Sequence, residues 1–172
     1  MNRMYRTGET MIYFRTMLLL ITFLLPTLSH ADIVESFEQQ LAQHKGKVVY
    51  LDFWASWCQP CKQSFPWLNA MQRKYDAQNF TVFSVNLDAN PQFAAQFLAE
   101  VPADFPIFYD AKGKLSKKFK LRGMPSSFLI DPNGKIVKAH TGFNAQKKAQ
   151  YENDIKELLT SFVKLSQNKN IQ

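Results

Sequence analysis

Apolar residues fall along this chain in distinct rhythms. After Gly46, "KVVYLDFW" (47–54) strings β-branched and aromatic side chains almost without a polar break. That run is too continuous for a strand with one wet face and suits a central strand covered on both. Residues 58 to 76 shift to helical spacing, with Phe65, Leu68, Met71 and Tyr75 three and four apart and Pro66 placed to kink the helix. "FTVFSVNL" (80–87) predicts a second strand, and "PQFAAQFLAE" (91–100) a helix opening on proline. The order β, α, β, α favours a parallel sheet with helices on both faces.

"VPADFPIFYDAKGK" (101–114), rich in proline and aromatics, then reads as a loop, followed by a short helix at 115–120 that ends at a glycine turn. "SSFLI" and "KIVKAH" flank "DPNG", a hairpin turn that makes these two strands antiparallel. A closing helix at 145–165 carries Ile155, Leu158, Leu159, Phe162 and Val163 at helical spacing, ahead of a polar tail, "SQNKNIQ". The pattern is α/β. No internal repeat or low-complexity linker divides residues 32–172, which are read as one domain.

The first 31 residues follow a different logic. "MLLLITFLLPTL" (17–28) is apolar, follows Arg15 and leads into "SHA", whose Ser29 and Ala31 are small residues set for cleavage before Asp32. This is the pattern of a cleaved secretory leader, and it predicts an exported, periplasmic protein. An uncleaved membrane anchor is the competing reading, but twelve residues with a late proline fall short of the roughly 20 needed to span a bilayer. No cysteine stands at the cleavage point to carry a lipid, and Met4 and Met11 offer alternative starts.

Charge changes this picture little. Removing residues 1–31 leaves 18 of the 21 basic and 13 of the 14 acidic side chains. The cluster Lys112, Lys114, Lys117, Lys118, Lys120 and Arg122 reads as a solvated helix face rather than a nucleic-acid surface.

The chain has two cysteines, Cys58 and Cys61, three positions apart at the junction of the first strand and its helix. A zinc site needs about four ligands, yet residues 32–172 hold no second cysteine pair and only His44 and His140. A c-type haem site needs histidine after the second cysteine, where Lys62 stands. A structural disulfide closing so short a loop stabilises little. Thiol-disulfide exchange remains. Unpaired N–H groups and the positive end of the helix dipole favour a thiolate at Cys58, while Cys61, one turn further in, is placed to resolve a mixed disulfide. Pro60 suits the first helical turn; Trp54 is assigned to packing and Trp57 to the rim of the site.

"DFWASWCQPCKQSFP" resembles the active-site segment of the thioredoxin superfamily, and "RGMPSSFLIDPNGKIV" its second signature. Together with the leader, an insertion at roughly 90–118 and "FLIDPNGKI", the chain resembles the TlpA/ResA-like exported thiol-disulfide oxidoreductases over residues 33–165. The resemblance implies a thioredoxin fold, a central mixed sheet flanked by helices with a short insertion before the β-hairpin. It implies an enzyme that reduces protein disulfides, with Cys58 attacking, Cys61 resolving, and Asp52 the buried carboxylate beneath them. Pro125 matches the cis-proline, and Met124 before it offers backbone hydrogen bonds to a substrate strand. Trp57, Gln59 and Pro60 complete the expected substrate-facing set. Implied partners are disulfide-containing proteins, apocytochrome c among them in some members, and a membrane thiol transporter of the DsbD type as electron donor. No cofactor, metal or nucleic acid is expected, and the chain is expected to be a monomer.

One departure is Ser64, where many members carry glutamate. Two alternatives stay open: a disulfide oxidase or isomerase using the same pair, and a non-enzymatic binding module on the same fold. A peroxiredoxin is disfavoured, since no Pro-x-x-x-Thr-x-x-Cys pattern occurs.

Overall fold

The computed structural model describes residues 32–169; the leader expected at 1–31 lies outside them. The elements are α1 (Ile33–Gln43), β1 (Val48–Trp54), α2 (Gln59–Tyr75), β2 (Phe80–Asn86), α3 (Pro91–Glu100), β3 (Ile107–Tyr109), α4 (Lys114–Lys118), β4 (Ser126–Ile130), β5 (Ile136–Thr141) and α5 (Ala145–Lys169), with a 3-10 turn at Asp76–Gln78. They form a five-stranded mixed sheet in the order β3-β2-β1-β4-β5. β1 pairs with β2 and β2 with β3 in parallel, while β1–β4 and β4–β5 are antiparallel. This is the thioredoxin fold. Among the described residues no helix is long and apolar enough to cross a membrane.

The continuous run at 47–54 becomes the central strand because all seven residues of β1 are buried. Pleating sends alternate side chains to opposite faces. Val48, Tyr50 and Trp54 join one apolar cluster with Phe65, Leu68 and Met71 of α2, Phe97 of α3 and Tyr151 and Ile155 of α5. Val49, Leu51 and Phe53 join a second with Phe37 of α1 and Leu115 of α4.

Several expectations at the level of elements change. The hydrophobic pattern did not announce α1: Phe37 is its one buried residue, so its apolar stripe is thin. Asp32 caps it by accepting the Val34 N–H at 2.9 Å. Within the stretch read as a loop, Ile107–Tyr109 forms β3, an edge strand too short to show alternation. The short helix is Lys114–Lys118 rather than 115–120, because the chain leaves it at Lys120 with φ 51°. α2 runs through Pro66 as one helix. α5 carries on through the first residues of the supposed polar tail to Lys169, since no glycine or proline there stops it. Two lysines of the basic cluster have structural partners, Lys114 pairing with Asp32 and Lys118 with Glu38, which ties α4 to α1.

Phe37 meets Phe83, Phe108 and Phe119 edge to face at centroid distances of 6.2, 5.3 and 5.8 Å. Phe37→Ala is therefore expected to cost about 3–5 kcal/mol in urea unfolding, against about 0.5 kcal/mol or less for exposed Phe93→Ala. Equal losses would mean that α1 contributes nothing to the core.

Candidate active site

β1 delivers the chain to the site, and a set of hydrogen bonds stops it there. The Ser56 N–H and hydroxyl both donate to the Asp88 carboxylate at 2.9 Å, and Asn86 Nδ2 donates to the same group at 2.7 Å. The Leu87 N–H reaches the carbonyl of Trp54 at 2.9 Å, and the Cys58 N–H that of Ala55 at 3.0 Å. Trp54 is fully buried beneath this turn, against Phe65 at 4.8 Å and Phe97 at 4.5 Å between centroids. The segment before the cysteines is thus fixed from below by packing and from the side by Asp88.

Cys58 is the N-cap of α2, with extended backbone, and its Sγ accepts the Cys61 N–H at 3.3 Å. A disulfide joins the two, their Cα atoms 5.2 Å apart. Pro60 sits in the first turn, which holds no acidic side chain. Lys62 lies there too, paired with Glu100 at 2.6 Å. A helix N-terminus, with its unpaired N–H groups and no acidic side chain in its first turn, stabilises negative charge on Sγ. Cys58 is 4% exposed and Cys61 fully buried, so an incoming group meets Cys58 first.

Asp52 lies on the face of β1 shared by Tyr50 and Trp54, the face that packs under both cysteines. Its Oδ2 finds no hydrogen-bond partner among the described residues. Burial pushes its carboxyl well above the usual carboxylate range. Ser64 does not take the place of a second acid: it is buried and its hydroxyl donates to the Cys61 carbonyl at 3.0 Å.

The remaining expected residues surround the pair. Trp57 is 72% exposed, and Gln59 and Pro60 are exposed beside it. The Met124–Pro125 peptide bond is cis. Pro125 is buried, and half-buried Met124 packs on the cluster that contains both cysteines. The Pro125 carbonyl accepts from the Gly142 N–H at 2.7 Å, whereas the backbone of Met124 makes no hydrogen bond among the described residues. All eight residues singled out in the sequence therefore lie in or against one region of the fold.

Sequence reasoning missed the Ser56, Asn86 and Asp88 lock, and it missed Phe93, an exposed aromatic that lines a groove with Gln59 and Lys62. It also missed a polar group under the sheet, Tyr50, Ser127, His140 and Asp154. Neighbourhood across strands is what unites these residues, and no local spacing encodes it. Among the described residues, no cluster of three or more His, Cys, Asp or Glu is placed to hold a metal.

Comparison with known proteins places this geometry. The Redoxin family model matches residues 25–155. The thiol-disulfide oxidoreductase ResA of Oceanobacillus iheyensis is 30% identical over 158 residues, covering 90% of this chain and 75% of that protein. Among solved structures, a Chlorobium tepidum protein provisionally named thiol:disulfide interchange protein DsbE is 52% identical, with a TM-score of 0.68 over 69% of this chain and 84% of that one. The exposed lipoprotein thioredoxin Etrx1 of Streptococcus pneumoniae is 30% identical, with a TM-score of 0.60 over 69% of this chain and 90% of that one. With a family match over most of the chain and a thiol pair at the head of α2, this protein belongs to the Redoxin family, among the ResA-like thiol-disulfide oxidoreductases.

Proposed function

We propose that this chain is an exported reductase of protein disulfides. The observation that carries the reading is Cys58 capping α2 and accepting the Cys61 N–H, with Cys61 buried behind it and Asp52 on the face below. In the reduced protein the Cys58 thiolate attacks a substrate disulfide and expels one substrate sulfur, forming a mixed disulfide. Cys61 then attacks Cys58 Sγ and the second substrate sulfur leaves, so the dithiol is oxidised by two electrons and the substrate disulfide reduced by two. Asp52 accepts the Cys61 proton as general base. Trp57, Gln59, Pro60 and Phe93 form the face met by the substrate, and the free backbone of Met124 pairs with its extended segment.

Reduction is favoured over oxidation because Gln59 and Pro60, and no histidine, stand between the cysteines, so no imidazolium there over-stabilises the thiolate. The substrate class is disulfide-containing protein, with apocytochrome c as one candidate, and a membrane thiol transporter of the DsbD type would return electrons. Export rests on the leader pattern at 1–31 and is supported by the exposed lipoprotein among the relatives.

Equilibration of Cys58 and Cys61 against glutathione is expected to give a potential nearer thioredoxin's roughly −270 mV than the roughly −120 mV of a strong oxidant. A value above about −150 mV would reassign the protein to disulfide formation. N-terminal sequencing of the exported product is expected to begin at Asp32, and a retained 1–31 segment on membrane-bound protein would replace the leader with an anchor.

Asp52 makes a separate thermodynamic prediction. Its folded carboxyl titrates above the unfolded value of about 3.9. The native state therefore holds the extra proton between those two values, and stability falls as pH rises through that window. Asp52→Asn removes this dependence and is expected to be more stable than the parent at pH 7 by about 1–3 kcal/mol, the gap shrinking towards pH 4. Urea melts at the two pH values measure it, and a variant no more stable at pH 7 would place the carboxylate in water.

A further inference from the structure

A line of polar side chains crosses this largely apolar sheet face. Asp52 on β1 stands opposite Ser84 of β2 and Ser127 of β4, and Ser127 stands opposite His140 of β5. Directly opposed residues project to the same face with Cβ atoms about 4.5–5.5 Å apart. Ser84, Asp52, Ser127 and His140 thus form one transverse row on the side that packs under the cysteines, and all four are buried. Elsewhere on this face the same strands present Val48, Tyr50, Trp54, Phe80, Val82 and Leu129.

The row is linked from its centre to the sheet edge. Ser127 Oγ lies 2.7 Å from the Tyr50 hydroxyl, which lies 3.5 Å from His140 Nδ1. His140 Nε2 is 2.9 Å from Asp154 Oδ2, and Asp154 is held by Lys138, whose side chain is partly exposed. Tyr151 stacks flat on the His140 ring at 3.8 Å. At the inner end, Ser84 Oγ and Asp52 Oδ2 have no partner among the described residues. Serine and tyrosine hydroxyls donate and accept together, and a neutral imidazole accepts at one nitrogen and donates at the other. From Ser127 outward the groups can therefore hand a proton on from one to the next, while Asp52 adjoins the inner end as the cross-strand neighbour of Ser127, with no direct hydrogen bond to it among the described residues. Packing alone does not call for a histidine and a carboxylate at its outer end, since an apolar edge would avoid the cost of burying them.

We propose that Ser127, Tyr50, His140 and Asp154 are the proton route between Asp52 and solvent during disulfide exchange. The inference rests on the reductase reading above. In the resolving step Cys61 gives its proton to the Asp52 carboxylate, its sulfur bonds Cys58 Sγ, and the substrate sulfur leaves with the electron pair as a thiolate. The proton on Asp52 passes through the Ser127 and Tyr50 hydroxyls to His140 Nδ1. The Nε2 proton departs at the Asp154 rim, and the released thiolate takes a proton from water. Re-reduction of the enzyme runs the same path inward. The groups that face His140 are Tyr50 and Ser127 from the sheet, Tyr151, Asp154 and Lys147 from α5 and Lys138 of its own strand. Burial holds its imidazole below the ordinary range against the opposing pull of Asp154. The ring is then mainly neutral at pH 7 and ready to accept.

Stopped-flow reaction of the fully reduced protein with 5,5′-dithiobis(2-nitrobenzoate) separates the steps. The first thionitrobenzoate is released by Cys58 attack and the second by Cys61 resolution. Tyr50→Phe keeps the ring and removes the link, and Ser127→Ala tests the same route should the first variant fold poorly by circular dichroism. Either is expected to slow the second phase at least fivefold relative to the first, and to flatten its pH dependence between 5 and 8. Each should change its solvent deuterium effect, and neither should add to the slowing caused by Asp52→Asn. If the second phase of both variants stays within twofold of the parent at every pH while Asp52→Asn slows it, the proton leaves by another path and the reductase reading stands. If Asp52→Asn leaves the second phase untouched, Asp52 is not the base and the route falls with it. Release of only one thionitrobenzoate per molecule of the reduced parent would overturn the dithiol reading itself.

Discussion

Covering both faces of β1 demands two separate layers of apolar side chains, and the rest of the molecule is arranged to supply them. One layer comes from α2, α3 and α5 and the other from α1 and α4, with β2 and β4 closing the flanks. A strand so enclosed cannot shift by one residue without turning its whole inward set over. Its end point is therefore fixed, and the end of β1 is where the cysteine turn begins. The precision of the thiol site follows from the burial of a strand that contains neither thiol.

Local interactions then convert that fixed end into chemistry. Asp88 gathers Ser56 and Asn86, so the turn is held by a carboxylate engaged with three donors. Trp54 fills the space beneath it. The Cys61 N–H, in the first turn of α2, is then shared between the Cys58 carbonyl and Cys58 Sγ. One sulfur lies nearer the surface and the other is fully buried, and the asymmetry comes from depth: the next turn of a helix that packs on the sheet is further inside.

The same enclosure makes Asp52 costly. A carboxyl in that position gives up hydration and finds no full set of partners. Asp154 is also buried, but Lys138 and His140 hold it, and its carboxyl stays below the usual range despite opposing desolvation. Two acids on one side of the sheet thus behave oppositely, one kept receptive to a proton and the other kept ionised. The Ser127 and Tyr50 hydroxyls and the His140 imidazole lie between them, joined to Asp154 at the edge.

Much of this was legible in the residues themselves. The run at 47–54 specified a doubly covered strand, "DPNG" a hairpin, Pro91 a helix start, and two cysteines at a strand-to-helix junction an exchange site, because each depends on neighbours within a few positions. α1 and β3 were not, since a helix with one buried side chain and a three-residue edge strand leave almost no periodic trace. Asp52 could be singled out as a charge within an apolar run. That its neighbours are Ser84 and Ser127, and that His140 continues the line to Asp154, was beyond reach. Those residues are brought together by strand order and register, and both are settled only when separate elements pack and one arrangement buries every apolar face at once.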